Sequence, residues 1–169
     1  MRRRGVSGNV LPPLLLVGAG RMGGALFAGW AARGVAPSVI VDPAAAPGLA
    51  RPGDTLVADL AGVPAGFVPA AVILAVKPQM ADGVLQRLAP VLAPDTVTLS
   101  IMAGRRIAGM AAAIGGGRVI VRAMPNTPAA IGKGMTVACA GEGVSPAQRA
   151  LCDALLRAVG QVAWWMTKT

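Results

Sequence analysis

Gly18-Ala19-Gly20-Arg21-Met22-Gly23 constrains this chain more than any other stretch. It follows the apolar run Leu14-Leu15-Leu16-Val17 and opens a segment of helical spacing over residues 22–33. A G-x-G-x-x-G pattern in that place meets a physical demand. The first glycine permits a tight turn from strand to helix, and the second lets the backbone approach an anion with no Cβ between. The third lets the helix pack closely on the strand. Unpaired N–H groups at the positive end of the helix then face a pyrophosphate. With 23 glycines in the chain, the pattern alone arises easily by chance. Its position between strand and helix carries the weight; a plain helix-capping turn is the competing reading.

Asp42 closes a second strand at 39–41, about twenty residues further on, where an acid can hold both ribose hydroxyls of a dinucleotide. A carboxylate there repels the 2′-phosphate of NADP and favours NAD, whereas a nearby arginine welcomes that phosphate. Arg51 in the following loop and Arg21 in the glycine loop are the arginines within reach. The residues alone lean to NAD and leave both cofactors open.

Short apolar runs alternate with longer Ala/Leu/Met segments along the rest of the chain. Strands are expected at 14–17, 39–41, 71–76, 96–101, 118–123, 135–140 and 161–165, with a weak one at 55–58. Helices are expected at 22–33, 80–92, 107–114 and 146–159, with Gly34 as a left-handed stop after the first. Residues 44–53 and 124–128 read as loops. The strands are mostly unbroken apolar runs, the mark of burial on both faces. The expected fold class is α/β: a doubly wound, mostly parallel Rossmann sheet with helices on both faces, its ligand beyond the carboxyl ends of the strands. Residues 1–13 read as a basic lead-in, 14–165 as an NAD(P)-binding Rossmann domain, and 166–169 as an aberrant tail.

Composition excludes several classes. The net charge of +9 comes from 16 basic and 7 acidic residues, which invites nucleic acid or a membrane surface. Beyond Arg2, Arg3 and Arg4 the basic residues are scattered, Tyr is absent, and only two Phe and three Trp could stack on bases. No nucleic-acid partner is expected. Histidine is absent, and Cys139 and Cys152 lack metal-ligand spacing, so no metal site is expected. The two cysteines read as small apolar residues of a reduced, cytoplasmic protein. Arg2–Arg4 ahead of 14–17 imitate a signal peptide, but Pro12, Pro13 and Gly18 break the apolar stretch. No run reaches the ~20 apolar residues of a membrane span.

Four further segments stand beside the glycine loop: Ala75-Val76-Lys77-Pro78-Gln79, Ser100-Ile101-Met102-Ala103-Gly104, Arg122-Ala123-Met124-Pro125-Asn126-Thr127-Pro128, and Gly134-Met135-Thr136. Lys77 at a strand end can meet phosphate or ribose oxygens. The small residues at 100–104 leave room for a flat ring. The prolines flanking Asn126 and Thr127 stiffen that turn and aim its amides. Together and in this order, from about Leu14 to Trp164, the segments resemble the pyrroline-5-carboxylate reductases, with the stretch 122–128 the most specific.

The resemblance implies reduction of 1-pyrroline-5-carboxylate to L-proline by NADP or NAD. It implies cofactor contacts at Gly18, Ala19, Gly20, Arg21, Met22, Gly23, Asp42, Ala75, Val76, Lys77, Pro78, Met102, Ala103, Gly104, Met124, Pro125, Asn126 and Thr127, the last two near the nicotinamide and the imine. No side chain is assigned as a catalyst, because a cyclic iminium is already electrophilic and the cofactor carries the hydride.

Two departures stand out: Arg21 where the family often has Asn, and Met102 where Ala is common, with some crowding of the nicotinamide expected there. Members of the family continue with an acidic stretch and an all-helical domain that supplies a substrate motif and the dimer interface, so homo-oligomerisation and full activity are doubtful expectations for this chain. Trp165-Met166 can only be encoded TGGATG. With the frame moved back one base this reads as Leu, Met or Val followed by Asp, so a frameshift near Trp164 is the expectation, tested by resequencing those codons. A non-catalytic dinucleotide sensor and a basic RNA-associated protein are the alternatives.

Overall fold

The computed structural model describes residues 10–166; the expectations for residues 1–9 and 167–169 lie outside the described residues. Eight strands form one sheet: β1 (Leu14–Val17), β2 (Val39–Val41), β3 (Thr55–Val57), β4 (Ala71–Leu74), β5 (Val97–Ser100), β6 (Ile120–Met124), β7 (Gly134–Ala140) and β8 (Gly160–Trp165). Their order is β3-β2-β1-β4-β5-β6-β7-β8. All neighbours run parallel except β6 and β7, which pair antiparallel with Arg122 opposite Cys139. The chain reverses between β4 and the β1–β3 half, which opens the switch-point crevice of a doubly wound sheet beside β1 and β4.

Helices α1 (Arg21–Arg33) and α4 (Pro146–Arg157) cover one face, and α2 (Ala81–Gln86) and α3 (Ile107–Ile114) the other. Strand alternation divides the core accordingly. Leu14 and Leu16 pack with Leu26, Phe27, Trp30 and Leu155, while Leu15 and Val17 pack with Leu85, Leu88 and Met110. Both faces of β1 are therefore buried, which explains its unbroken apolar run. Helix α4 begins with a capping box: the Ser145 hydroxyl accepts the Gln148 N–H, and the Gln148 side chain accepts the Ser145 N–H. Its last turn is satisfied by α1. The Trp30 indole N–H donates to the Leu155 carbonyl at 2.9 Å and the Arg33 guanidinium to the Arg157 carbonyl at 2.7 Å.

Several expectations are corrected. The helix expected at 80–92 is three pieces: a 3-10 turn at Pro78–Met80, α2, and a 3-10 turn at Ala89–Val91. Pro90 lacks the N–H a continuous helix needs and its ring crowds the preceding turn, although Val84, Leu85, Leu88 and Leu92 all reach the core as their spacing demands. The strand expected at 71–76 stops at Leu74, and that at 118–123 shifts to Ile120–Met124. Within the expected loop 124–128, Met124 closes β6 and Thr127 opens a 3-10 turn, Thr127–Ile131. Gly34 has a positive φ of 92°, but its ψ of 112° lies outside the left-handed helical well. Strand β7 alternates instead of running apolar: Thr136 and Ala138 are buried while Met135 and Val137 are exposed, since no helix covers that face. Chain pairing also begins ahead of Leu14, through a parallel bridge from Leu11 to Val35.

Candidate functional site

Backbone geometry shapes the glycine loop. Gly18 leaves β1 at φ 93°, and a Cβ there would lie 2.6 Å from the Ala75 carbonyl oxygen, so the β1 and β4 exits pass each other without side-chain clearance. Gly23, in the first turn of α1, is tighter still: its Cβ would lie 2.1 Å from the Gly18 oxygen and 3.2 Å from the Ala75 Cβ. Gly20 differs. A Cβ built there meets nothing within 4 Å, so this backbone faces open space. The helix begins at once, with Gly24 N–H donating to the Gly20 carbonyl at 2.8 Å. The first N–H groups of α1 therefore point into an open concavity, a ready anion seat.

Asp42 follows β2 and bonds to the same loop. Its Oδ2 accepts the Ala19 N–H and its Oδ1 the Ala44 N–H, each at 2.7 Å. The Gly18 N–H donates to the Val41 carbonyl, holding the two strand ends together. Arg51, a sequence candidate for phosphate, is committed elsewhere. Its Nε and Nη2 donate to Asp54 at 2.8 and 2.9 Å, and its Nη1 to the Val35 carbonyl at 3.2 Å. Burial alone would raise the Asp54 carboxyl, but the Arg51 guanidinium and the amides of Ser38 and Arg51 together hold it below the usual carboxylate range.

Beside the loop, a cleft of about 250 Å³ lies among the β1, β4, β5 and β6 exits, lined by Met22, Ala75–Pro78, Ile101–Ala103, Met124 and Pro125. Lys77 is exposed at its mouth and introduces the 3-10 turn Pro78–Met80. Ser100 fixes the turn after β5 by accepting the Met102 N–H at 3.3 Å. Met102 is almost fully buried against the core, so it forms the floor of the cleft. The Asn126 Oδ1 accepts the Met135 N–H at 2.8 Å and ties the proline-flanked turn to the start of β7. Gly104, Asn126 and Thr127 do not line the cleft, and neither do Gly18–Arg21 and Asp42, which form the adjoining loop. A groove of about 530 Å³ at the opposite, amino ends of the strands involves Pro13, Ala70, Thr96 and Gln148. It lies on the wrong side of a parallel sheet for a strand-end ligand.

Two residues of this region escape sequence reasoning. Ile101 lines the cleft and stands inside the quoted segment 100–104. Arg105 donates to Asp82 at 2.7 Å and to the Pro78 carbonyl at 3.0 Å, bracing the post-β4 turn against the post-β5 turn. Its only sequence signal is a cation directly after Gly104.

The family model described as NADP oxidoreductase coenzyme F420-dependent matches residues 14–104, more than half of the chain. The chain belongs to that family. Its curated relatives are pyrroline-5-carboxylate reductases, as the motif resemblance implies. The Pseudomonas aeruginosa protein is 38% identical over 157 residues, covering 90% of this chain and 57% of the relative. The Synechocystis protein is 42% identical over 98 residues, 58% of this chain and 36% of the relative. Among solved structures, the Coxiella burnetii pyrroline-5-carboxylate reductase superposes with a TM-score of 0.80 at 26% identity, covering 92% of this chain and 59% of that one. The Plasmodium falciparum pyrroline carboxylate reductase, solved with NADP bound, gives 0.74 at 23% identity, with 91% and 56% covered, and speaks to the fold. The chain thus spans somewhat over half the length of its Pseudomonas relative. Among the described residues no helix is long and apolar enough to cross a membrane.

Proposed function

We propose that this chain is the dinucleotide-binding portion, residues 14–165, of a pyrroline-5-carboxylate reductase, which reduces 1-pyrroline-5-carboxylate to L-proline with NADPH or NADH. The observation that carries the reading is the 38% identity to the Pseudomonas reductase over 90% of this chain, which extends through the proline-flanked turn as well as the glycine loop common to many dinucleotide folds.

The residues fit the cofactor. The Gly20 backbone faces space that a side chain would fill, and the open N-terminus of α1 supplies unpaired N–H donors for the pyrophosphate. Asp42 would take the adenosine ribose. Lys77 and the backbone at Ala75 and Val76 would take the nicotinamide half, over a floor made by Met102 and a wall made by Met124 and Pro125. When bound, the reduced nicotinamide supplies the hydride. A cyclic iminium is already electrophilic, so toward that form of the substrate the residues here have only to orient, exclude water and hold charge. Asn126 acts indirectly by fixing the turn that carries Met124 and Pro125. The reading carries with it a cytoplasmic, homo-oligomeric enzyme in which the remaining part of the relatives' length completes the substrate site.

Two measurements test this. Calorimetric titration of the purified chain with NADH and NADPH is expected to give saturable binding to at least one. Loss of dihydronicotinamide absorbance with pyrroline-5-carboxylate, with the C-terminal part of a relative supplied in trans, is expected to give turnover. Folded protein without affinity for either nucleotide overturns the reading. Binding without turnover, even with the complement, reduces it to a dinucleotide-sensing module.

A further inference from the structure

We infer that this chain selects NADH over NADPH and that Asp42 is the residue that decides; the inference rests on the dinucleotide reading above. Both oxygens of the Asp42 carboxylate are tied to backbone, Oδ2 to the Ala19 N–H within the glycine loop and Oδ1 to the Ala44 N–H beyond β2. The carboxylate cannot swing away without leaving two amides unpaired. A carboxylate has about four lone-pair sites and two are used, so each oxygen keeps one for a hydroxyl donor. That matches a vicinal diol. A 2′-phosphate brings only acceptors and about two negative charges, and like charges at close range repel more strongly beside a protein surface than in bulk water.

Among the described residues, the segment that follows Asp42 offers nothing to offset that repulsion. Pro43, Ala44, Ala45, Ala46, Pro47, Gly48, Leu49 and Ala50 contribute no cation, hydroxyl or amide side chain. Arg51 is the first cation after Asp42, and it is spent on Asp54 and on the carbonyls of Val35 and Ala36, with its guanidinium carbon 5.5 Å from the Phe27 ring centre. Releasing it would strand the Asp54 carboxylate, whose side chain is fully buried. Arg21 is exposed at the first position of α1, beside the pyrophosphate seat that both cofactors share. The family description and the Plasmodium structure name NADP. This chain carries a carboxylate, a charge of the same sign, where the distinguishing phosphate would lie.

The test is calorimetric titration of the full chain with each reduced nucleotide, so affinity and not turnover is read. NADH is expected to bind at least about tenfold tighter than NADPH. In Asp42→Asn the preference should shrink to within about threefold, chiefly through gained NADPH affinity. Ala44→Arg is exposed and leaves the carboxylate in place; it should raise NADPH affinity selectively, and it serves if Asp42→Asn loosens the loop. Equal or tighter binding of NADPH by the unaltered chain overturns the inference while leaving the dinucleotide reading intact. NADH preference unchanged in both variants removes Asp42 as its cause. Binding of neither nucleotide by folded, unaltered chain ends the dinucleotide reading itself.

Discussion

Gly18 and Ala75 sit back to back where β1 and β4 leave the sheet, with space for a hydrogen at the Gly18 Cα and none for a methyl group. This contact closes the base of the crevice and sets the angle at which α1 departs. Three glycines of one motif consequently respond differently to alanine. Gly18→Ala meets both a positive φ and the Ala75 carbonyl, and Gly23→Ala meets the Gly18 carbonyl; each should cost roughly 2–4 kcal/mol in denaturant unfolding. Gly20→Ala has free space and should change stability by less than about 0.5 kcal/mol. Its cost should appear as weaker dinucleotide binding, read by titration on the same preparation.

Trp30 joins α1 to α4 across the core. Trp30→Phe keeps an aromatic ring but removes the donor to the Leu155 carbonyl and part of the indole volume. The Leu155 carbonyl belongs to the last turn of α4 and has no donor further along that helix to replace the indole. A loss of about 2–4 kcal/mol is expected from chemical denaturation, the sum of a small cavity and an unsatisfied buried acceptor.

The Arg51–Asp54 pair gives a pH signature. Its native carboxyl titrates below the unfolded value, so the pair stabilises the fold at pH above that unfolded value, and the contribution is lost as pH falls through the native one. Asp54→Asn should lower stability by about 1–3 kcal/mol at neutral pH, moderated because Arg51 is partly exposed. The gap in melting temperature between the two proteins should hold steady down to about pH 5 and close below about pH 4.

Cys152 is buried on α4, and burial pushes its thiol up to about 12. A thiol so seldom ionised is inert, while Cys139 on β7 is half-buried. A thiol-specific chromogenic reagent at pH 8 should modify Cys139 first and reach Cys152 only after unfolding. Equal rates for both in the native protein contradict the burial.

Asp153 links α4 to β8, accepting from the Arg157 guanidinium and, at 2.9 Å, from the Trp164 indole N–H, while Arg149 lies 4.6 Å from the Trp164 ring centre. Trp164→Phe should loosen β8 by about 1–2 kcal/mol. Hydrogen exchange is expected to speed up along β8 and to leave β1 and β4 unchanged.

Much of this architecture was legible because the first strands are apolar runs bounded by Gly, Pro or Asp. Leu14–Val17, Val39–Val41 and the helix after Gly20 declare themselves by length and boundary alone. The segment after Pro78 was not legible as a continuous helix, since the four-residue spacing of Val84, Leu85, Leu88 and Leu92 survives in a chain that Pro90 has broken. The antiparallel turn of β7 leaves no local mark either. An apolar strand reads alike in both directions, and only the exposure of Met135 and Val137 shows that one face lacks a helix. At the site, the motif gave the loop and its glycines. The bond from Asp42 to Ala19 joins residues that only the folded sheet brings together, and so does the bond from the Met135 N–H to the Asn126 Oδ1.

The topology also bears on how the chain finds its fold. From β1 to β6 every neighbouring pair is parallel and must wait for a crossover to close, so the polypeptide loses entropy before any ladder rewards it. Only β6 and β7 are consecutive and antiparallel, joined by a short, proline-stiffened connection whose ends are already drawn together by Asn126. Among the described residues that pair closes over the shortest connection of any two neighbouring strands, so its loop-closure cost is the smallest in the sheet.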